Sequence, residues 1–320
     1  MSQPLITHVF TADPSAHVFD GRLYIYPSHD RHSGVPANDL GDQYDMVDYH
    51  VFSMDSIGGP VTDHGVALAL EEIPWASRQL WAPDAARAGD TYLLYFPARD
   101  RDGVFRIGVA ASAKPEGPFV AEPQPISGSY SIDPCCFVDD DGQAYLYFGG
   151  LWGGQLQCWT SGWFDPTARE PTGDRAALMP RVARLSADMR SFAGDPASLE
   201  ILDERGQPLR ADDHPRRFFE AAWVHKRDQT YYLSYSTGDT HLLAYATSDR
   251  PLGPFTYRGV ILRPVLGWTT HHSIVEFNGR WYLFYHDATL SGGASHLRCV
   301  KVAELFYGDD GAILPVSPLG

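Results

Sequence analysis

SIDPCCFVDDDGQAYLYFGG, residues 131–150, opens on an Asp-Pro step, passes through a short apolar run, turns at Asp-Gly and returns on a Tyr-rich strand. An Asp-Gly pair between two apolar, alternating runs marks a tight β-hairpin, because those residues accept the positive φ angles of the turn. The same plan recurs as TADPSAHVFDGRLYIYPS (11–28), WAPDAARAGDTYLLYFPA (81–98), FEAAWVHKRDQTYYLSYS (219–236) and HHSIVEFNGRWYLFYHD (271–287). Tyr26, Tyr95, Tyr147, Tyr235 and Tyr285 hold the equivalent place in the five copies. A second phrase repeats behind some of the hairpins: AASAKPEGPF (110–119) and YATSDRPLGPF (245–255), with a degenerate relative in FSMDSIGGPVTDHG (52–65). Proline stops a strand there and Gly-Pro makes the corner. Five copies of one unit predict five blades set radially, an arrangement that leaves only short sheet edges. No segment sustains helical periodicity. The expected fold is all-β: one five-bladed β-propeller, a single domain over residues 1–320, with no further domain after the fifth blade.

Two polar, Pro-containing segments interrupt the repeat, His29 to Asp48 and Trp159 to Arg217. Long loops on a rigid scaffold commonly wall a binding site, and both are expected to do so.

The chain has 320 residues, 44% of them hydrophobic and 13% aromatic, enough for a large β core with aromatic surface to spare for a ligand. Asp and Glu outnumber Lys and Arg 40 to 25, for a formal charge of −15. Such a field repels phosphate backbones and anionic lipid, so neither nucleic acid nor a membrane is an expected partner. The start, MSQPLITHVFTADPS, lacks a basic segment followed by an apolar run, which points to a cytoplasmic protein without an export signal. Cys135, Cys136, Cys158 and Cys299 lack zinc-site spacing and read as reduced, buried thiols.

In a propeller the first strand of each blade lines the central channel, so the leading positions of the five repeats converge. They are Asp13, Asp84, Asp133, Glu220 and His271. Burying several carboxylates together is costly unless their ionisation is used or a cation compensates. Each Asp-Pro is also an ordinary turn former, so the residues alone leave both readings open.

On these motifs the chain resembles glycoside hydrolase family 43, five-bladed propeller hydrolases that include β-xylosidases and α-L-arabinofuranosidases. The resemblance runs from TADPSAHVFDGRLYIYPSHD to LRCVKVAELFYGDDGAI. It implies that Asp13 is the general base, Glu220 the general acid, and Asp133 the residue that raises and orients the acid. An inverting glycosidase needs such a pair on opposite sides of the scissile bond, typically about 6.5 to 9.5 Å apart. It implies further that Arg298, in SHLRCVKVAEL, reaches the bound sugar. Trp81, in LWAPD, and Phe219, beside Glu220, are candidates for apolar contact with the sugar's face, and both could equally be blade packing. Asp84 has no catalytic part in the family and reads as structural. His271, in TTHHSIVEF, takes the place of an axial histidine that sits beside a hydrated Ca2+ or is satisfied by water alone; no organic cofactor is implied. His271–His272 is no zinc signature, since neighbours on a strand point to opposite faces.

The implied activity is exo-acting, inverting release of terminal β-D-xylose from xylooligosaccharides, with α-L-arabinofuranosidase activity alongside. The alternatives are an α-L-arabinofuranosidase acting on arabinan or arabinoxylan fragments and a non-catalytic sugar-binding propeller. Retention of both acid and base speaks against the last, since binding alone needs neither.

Overall fold

Each repeat folds as a sheet because alternate residues of its inner strands bury both faces against the two neighbouring blades, as Leu94 does toward blade one and Leu93 toward blade three, while turn residues close each hairpin. A computed structural model describes residues 3–317; the termini of the expected 1–320 unit lie outside them. Blade one is β1 (Phe10–Phe19), β2 (Arg22–Asp30), β3 (Asp48–Met54) and β4 (Thr62–Ala69), in that order. Blade two holds β5 (Ala76–Arg78), β6 (Asp84–Ala88), β7 (Thr91–Asp100), β8 (Phe105–Ser112) and β9 (Val120–Ala121), with β5 and β6 both paired to β7. Blade three is β10 (Cys135–Val138), β11 (Ala144–Phe148), β12 (Arg181–Arg184) and β13 (Ala197–Ser198). Blade four combines β14 (Ile201–Leu202) with β15 (Glu220–Arg227), β16 (Thr230–Ser236), β17 (Leu243–Ser248) and β18 (Phe255–Leu262); β14 adds outside β18 in parallel. Blade five is β19 (His272–Phe277), β20 (Arg280–Asp287) and β21 (Cys299–Leu305). The five-bladed propeller read from the repeats is therefore the fold.

The five repeat tyrosines are all buried on the second strand of their hairpins. Three of them tie each blade to the next: the hydroxyls of Tyr26, Tyr95 and Tyr147 donate to the carbonyls of Pro115, Met189 and Pro251 at 2.7, 2.7 and 2.8 Å. Apolar clusters fill the gaps between blades, such as Tyr26, Leu94 and Phe96 between blades one and two. Asp20–Gly21 and Asn278–Gly279 have positive φ at both turn positions, as their tight hairpins require. Both Gly-Pro corners, Gly117–Pro118 and Gly253–Pro254, have cis peptide bonds.

The ring is closed by the start of the chain lying against blade five. Leu5 N–H donates to Val300 O at 2.9 Å and Thr11 N–H to Arg298 O at 3.0 Å.

The second long segment departs from expectation. Trp159 to Arg217 is not a wall of the central cavity; it carries β12, β13 and β14, the outer strands of blades three and four. The first segment does wall the cavity, through Ala37, Asn38, Asp39, Gly41, Gln43, Tyr44 and Met46.

Candidate active site

Two β-bulges and one left-handed residue ahead of β10 aim the acidic side chains. The β1–β2 register shifts between Ala12 and Ser15, and Asp13 within that bulge has φ 47°. Asp133 has φ 57°, and Ala221, beside Glu220 in the bulged start of β15, has φ 61°. A bulge re-aims a side chain out of the regular pleat. Aspartate tolerates this left-handed conformation better than most residues because its short polar side chain bonds locally. The Asp-Pro steps thus shape the backbone and present the carboxylates at once. Asp13, Asp133, Glu220 and His271 line one cavity of about 320 Å3.

Asp84 is not at this level. It stands directly opposite Tyr95, the depth at which Ser15 opposes Tyr26 and Cys135 opposes Tyr147. Its carboxylate is consumed by Ser15 Oγ, by His17 Nε2 at 2.7 Å and by the Cys136 amide. It pins blades one, two and three together, as a structural residue should.

Asp13 is held on every side. Its Oδ1 accepts Arg298 Nη1 at 2.9 Å, its Oδ2 accepts Ser28 Oγ at 2.7 Å, and its amide donates to His286 Nδ1 at 2.9 Å. His286 is therefore the Nε2–H tautomer, giving that proton to Thr269 O at 3.1 Å. Burial alone would raise the Asp13 carboxyl; the Arg298 guanidinium, with lesser help from His286, His271 and Ser28, overcomes this and brings it down to about 2.

Arg298 lines the cavity, yet most of its fork is turned away from it. Nε and Nη2 donate to Asp30 Oδ2 and Oδ1 at 2.8 and 2.7 Å, the bidentate pairing that best fits a planar guanidinium, and its ring-side neighbour is Tyr44. Burial works against its charge, and the Asp13 and Asp30 carboxylates more than offset that. What the sequence reading offered as a sugar-reaching arginine is, in this geometry, first a clamp on Asp13.

Glu220 is the opposite case. No side chain or amide among the described residues hydrogen-bonds its carboxyl, and burial, followed by the Asp13 charge, pushes it up to about 8 against the pull of Arg298. Asp133 is also raised, by burial and then by the charges of Glu220 and Asp13. Asp133 Oδ2 accepts the Ala221 amide at 2.9 Å, a contact that favours its ionised form against that rise.

The cavity walls are aromatic. Trp81 packs on Phe105 at 4.6 Å between ring centres and donates its indole N–H to Tyr44 O at 2.7 Å. Phe219 touches the cavity but is 2% exposed, covered by Trp152 at 5.1 Å and Trp268 at 6.0 Å. The apolar face available on that side is therefore chiefly Trp152 and Trp268, neither singled out from sequence. Arg99 Nη2 donates to Leu40 O and Gly153 O at 3.2 and 3.3 Å, strapping the 31–47 loop to the turn after β11. A Cβ on Gly153 would stand 2.6 Å from Leu40 O, so glycine is required for that approach.

His271 Nδ1 is 3.8 Å from Asp13 Oδ1 and 3.9 Å from Asp133 Oδ2. Burial lowers its pKa, keeping it neutral and able to ligate. Ca2+ takes six to eight oxygen ligands, whereas this set offers one nitrogen and two carboxylates already engaged by Arg298, Ser28 and the Ala221 amide. The residues fit only an ion whose shell is mostly water. His272 faces the other way and meets Ser234 Oγ at 2.6 Å.

A carboxylate held low and a carboxyl held high around one aromatic-walled cavity are the pair an inverting glycoside hydrolase requires. The family model described as Glycosyl hydrolases family 43 matches residues 3–313. The chain is 64% identical to xylosidase/arabinosidase 43A of Humicola insolens, covering 98% of this chain and 99% of that one. It is 54% identical to a β-xylosidase of Xylanibacter ruminicola, over 96% and 97% of the two chains. Among solved structures, a β-xylosidase/α-arabinofuranosidase from a compost metagenome, in complex with xylotriose in a calcium-free form, superposes with a TM-score of 0.98 at 62% identity, covering 99% of this chain and 98% of that one. A Xanthomonas citri enzyme complexed with xylotriose gives 0.96 at 58% identity, over 100% and 94%. The chain belongs to glycosyl hydrolase family 43.

Proposed function

We propose that this protein is an exo-acting, inverting hydrolase that releases terminal β-D-xylose from xylooligosaccharides, with α-L-arabinofuranosidase activity as a companion. The observation that carries the reading is the division between two carboxyls in one cavity: Asp13, clamped by Arg298 and Ser28 and brought down to about 2, and Glu220, buried without such a partner and pushed up to about 8. Between those values one carboxylate can take a proton from water while the other gives one to the departing glycosidic oxygen. The strapped 31–47 loop favours a pocket that admits a chain end over an open cleft. The choice of pentose rests on the names of the relatives.

In this mechanism Arg298, Ser28 and His286 hold the Asp13 carboxylate toward the attacking water. Asp133 keeps the proton on Glu220 and anchors the backbone beside it through the Ala221 amide. Trp81, Trp152, Trp268 and the rim of Phe219 supply apolar faces to the sugar. A calcium ion, where bound, would be held by His271 with water completing its shell and would supply positive charge near the axis.

The test is stereochemical. A β-xyloside should release α-xylose first, seen by proton NMR before mutarotation. Initial β-xylose would mean a retaining enzyme and remove Asp13 as base.

Asp133→Asn isolates the charge on Asp133. Asparagine keeps the acceptor for the Ala221 amide and tolerates φ 57°. Loss of a negative charge nearby makes ionisation of Glu220 easier, so the alkaline limb of kcat against pH moves down. The acidic limb, set by Asp13, moves less. An unmoved or raised alkaline limb would leave Asp133 a positioning residue only.

A further inference from the structure

A group of imidazoles and carboxylates outside the cavity takes no part in the chemistry above. His29 lies near the end of β2, and Asp48 and His50 lie at the start of β3. These strands pair with Leu23 opposite Met54 and Ile25 opposite Phe52, a register whose continuation sets His29 across from Asp48. Asp48 and His50, two residues apart on one strand, share a face. One ligand atom from each of the three lies within 4.8 Å of the others.

The detail of the contacts separates this group from an ordinary surface hydrogen-bond network. His29 Nδ1 meets Asp48 Oδ1 at 2.5 Å, but His50 Nε2 is 4.0 Å from the same oxygen, beyond hydrogen-bond reach. His50 instead turns Nδ1 to Asp63 Oδ1 at 3.2 Å. With its Nδ1–H given to a carboxylate, His50 has the Nε2 lone pair free and aimed at the Asp48 side. That carboxylate–histidine arrangement is the support that metal-ligating imidazoles characteristically have. Asp63 is itself fixed, accepting the Gly65 amide at 2.8 Å and meeting His8 Nε2 at 2.7 Å. The side chains of His29, Asp48 and His50 are 22%, 20% and 13% exposed, so an ion can reach them from solvent and keep a water as a further ligand.

We propose that His29, Asp48 and His50 form a site for Zn2+ or a similar divalent transition metal, with Asp63 orienting His50. Two imidazoles and one carboxylate are the donor types that such ions take, and they are too few and too nitrogen-rich for Ca2+ or Mg2+. The site stands at the stem of the loop that walls the substrate cavity: residues 31–47 leave β2 just beyond His29 and return at Asp48. Asp30, which clamps Arg298, is the next residue after His29. A bound ion joins the two strands where that loop departs, separately from any ion at His271.

The experiment is calorimetric titration of untagged, chelator-stripped protein with ZnCl2. Wild type should bind Zn2+, and His29→Ala and His50→Ala should each bind one ion fewer, whereas His271→Ala should retain this ion. Asp63→Asn should bind it about 10- to 100-fold more weakly, the usual effect of losing a supporting carboxylate. His50→Gln replaces His50→Ala if the latter does not fold, as judged by circular dichroism. Absence of Zn2+ binding by wild type would overturn the proposal. So would equal binding by wild type and the folded His29 and His50 variants, or loss of all binding in His271→Ala alone.

Discussion

Glu220→Gln should lose about 10²- to 10⁴-fold in kcat on xylobiose, the usual value of acid assistance, and far less on aryl xylosides whose leaving groups depart without a proton. The contrast follows from the state of the side chain. Its carboxyl, pushed up to about 8, is a loaded proton donor at neutral pH. Glutamine matches its shape and leaves the bulge at Ala221 and the Asp133 contact in place, so binding of the sugar should change little. The measurement is kcat and kcat/KM across a series of leaving groups, from nitrophenyl to alkyl. Equal losses on every substrate would remove Glu220 from the role of acid.

Asp13→Asn should be slow on every substrate alike, by a similar factor of about 10²- to 10⁴-fold, because water must be activated whatever departs. Asparagine tolerates the bulge conformation at φ 47° and can still meet Ser28 and Arg298, so the variant should fold. A second effect separates this variant from a generally damaged enzyme. The Asp13 charge is, after burial, what lifts Glu220, so its removal lets Glu220 ionise at lower pH. The residual activity should therefore fall off earlier on the alkaline side than that of wild type. A variant with an unmoved alkaline limb would show that the two carboxyls do not sense one another.

Asp13, Asp133 and Glu220 stood out because five hairpins of one pattern bring their leading positions around one axis, and the resemblance to family 43 supplied the roles that the pattern left open. Asp84 was drawn into the same set for the same reason. It falls deeper because it precedes Tyr95 by 11 residues, whereas Asp13 precedes Tyr26 by 13 and Asp133 precedes Tyr147 by 14, a difference that matching the motifs alone passed over. The anchors of Asp13 went unread for a related cause. Ser28, Asp30 and His286 lie at the far ends of the Tyr-rich strands, in YPSHD and FYHD, where the return strand reaches the cavity again. A polar residue just past the repeat tyrosine was the available signal. Trp152 and Trp268 sit in connections outside the repeats, so repetition carried no information about them. Trp159 to Arg217 looked like a wall because Pro and polar residues dominate it, yet short outer strands need few apolar residues when only one edge is covered.

Arg298 is where the two ends of the ring meet, for its backbone carbonyl receives Thr11 while its side chain grips Asp30 and Asp13. Shelf life under heat is thereby tied to one seam. Should blades one and five part, the base would lose its anchor although every sheet was still intact, and turnover would cease before the strands melted. Fastening residues 5–11 more firmly to β21 would then keep the base anchored on heating.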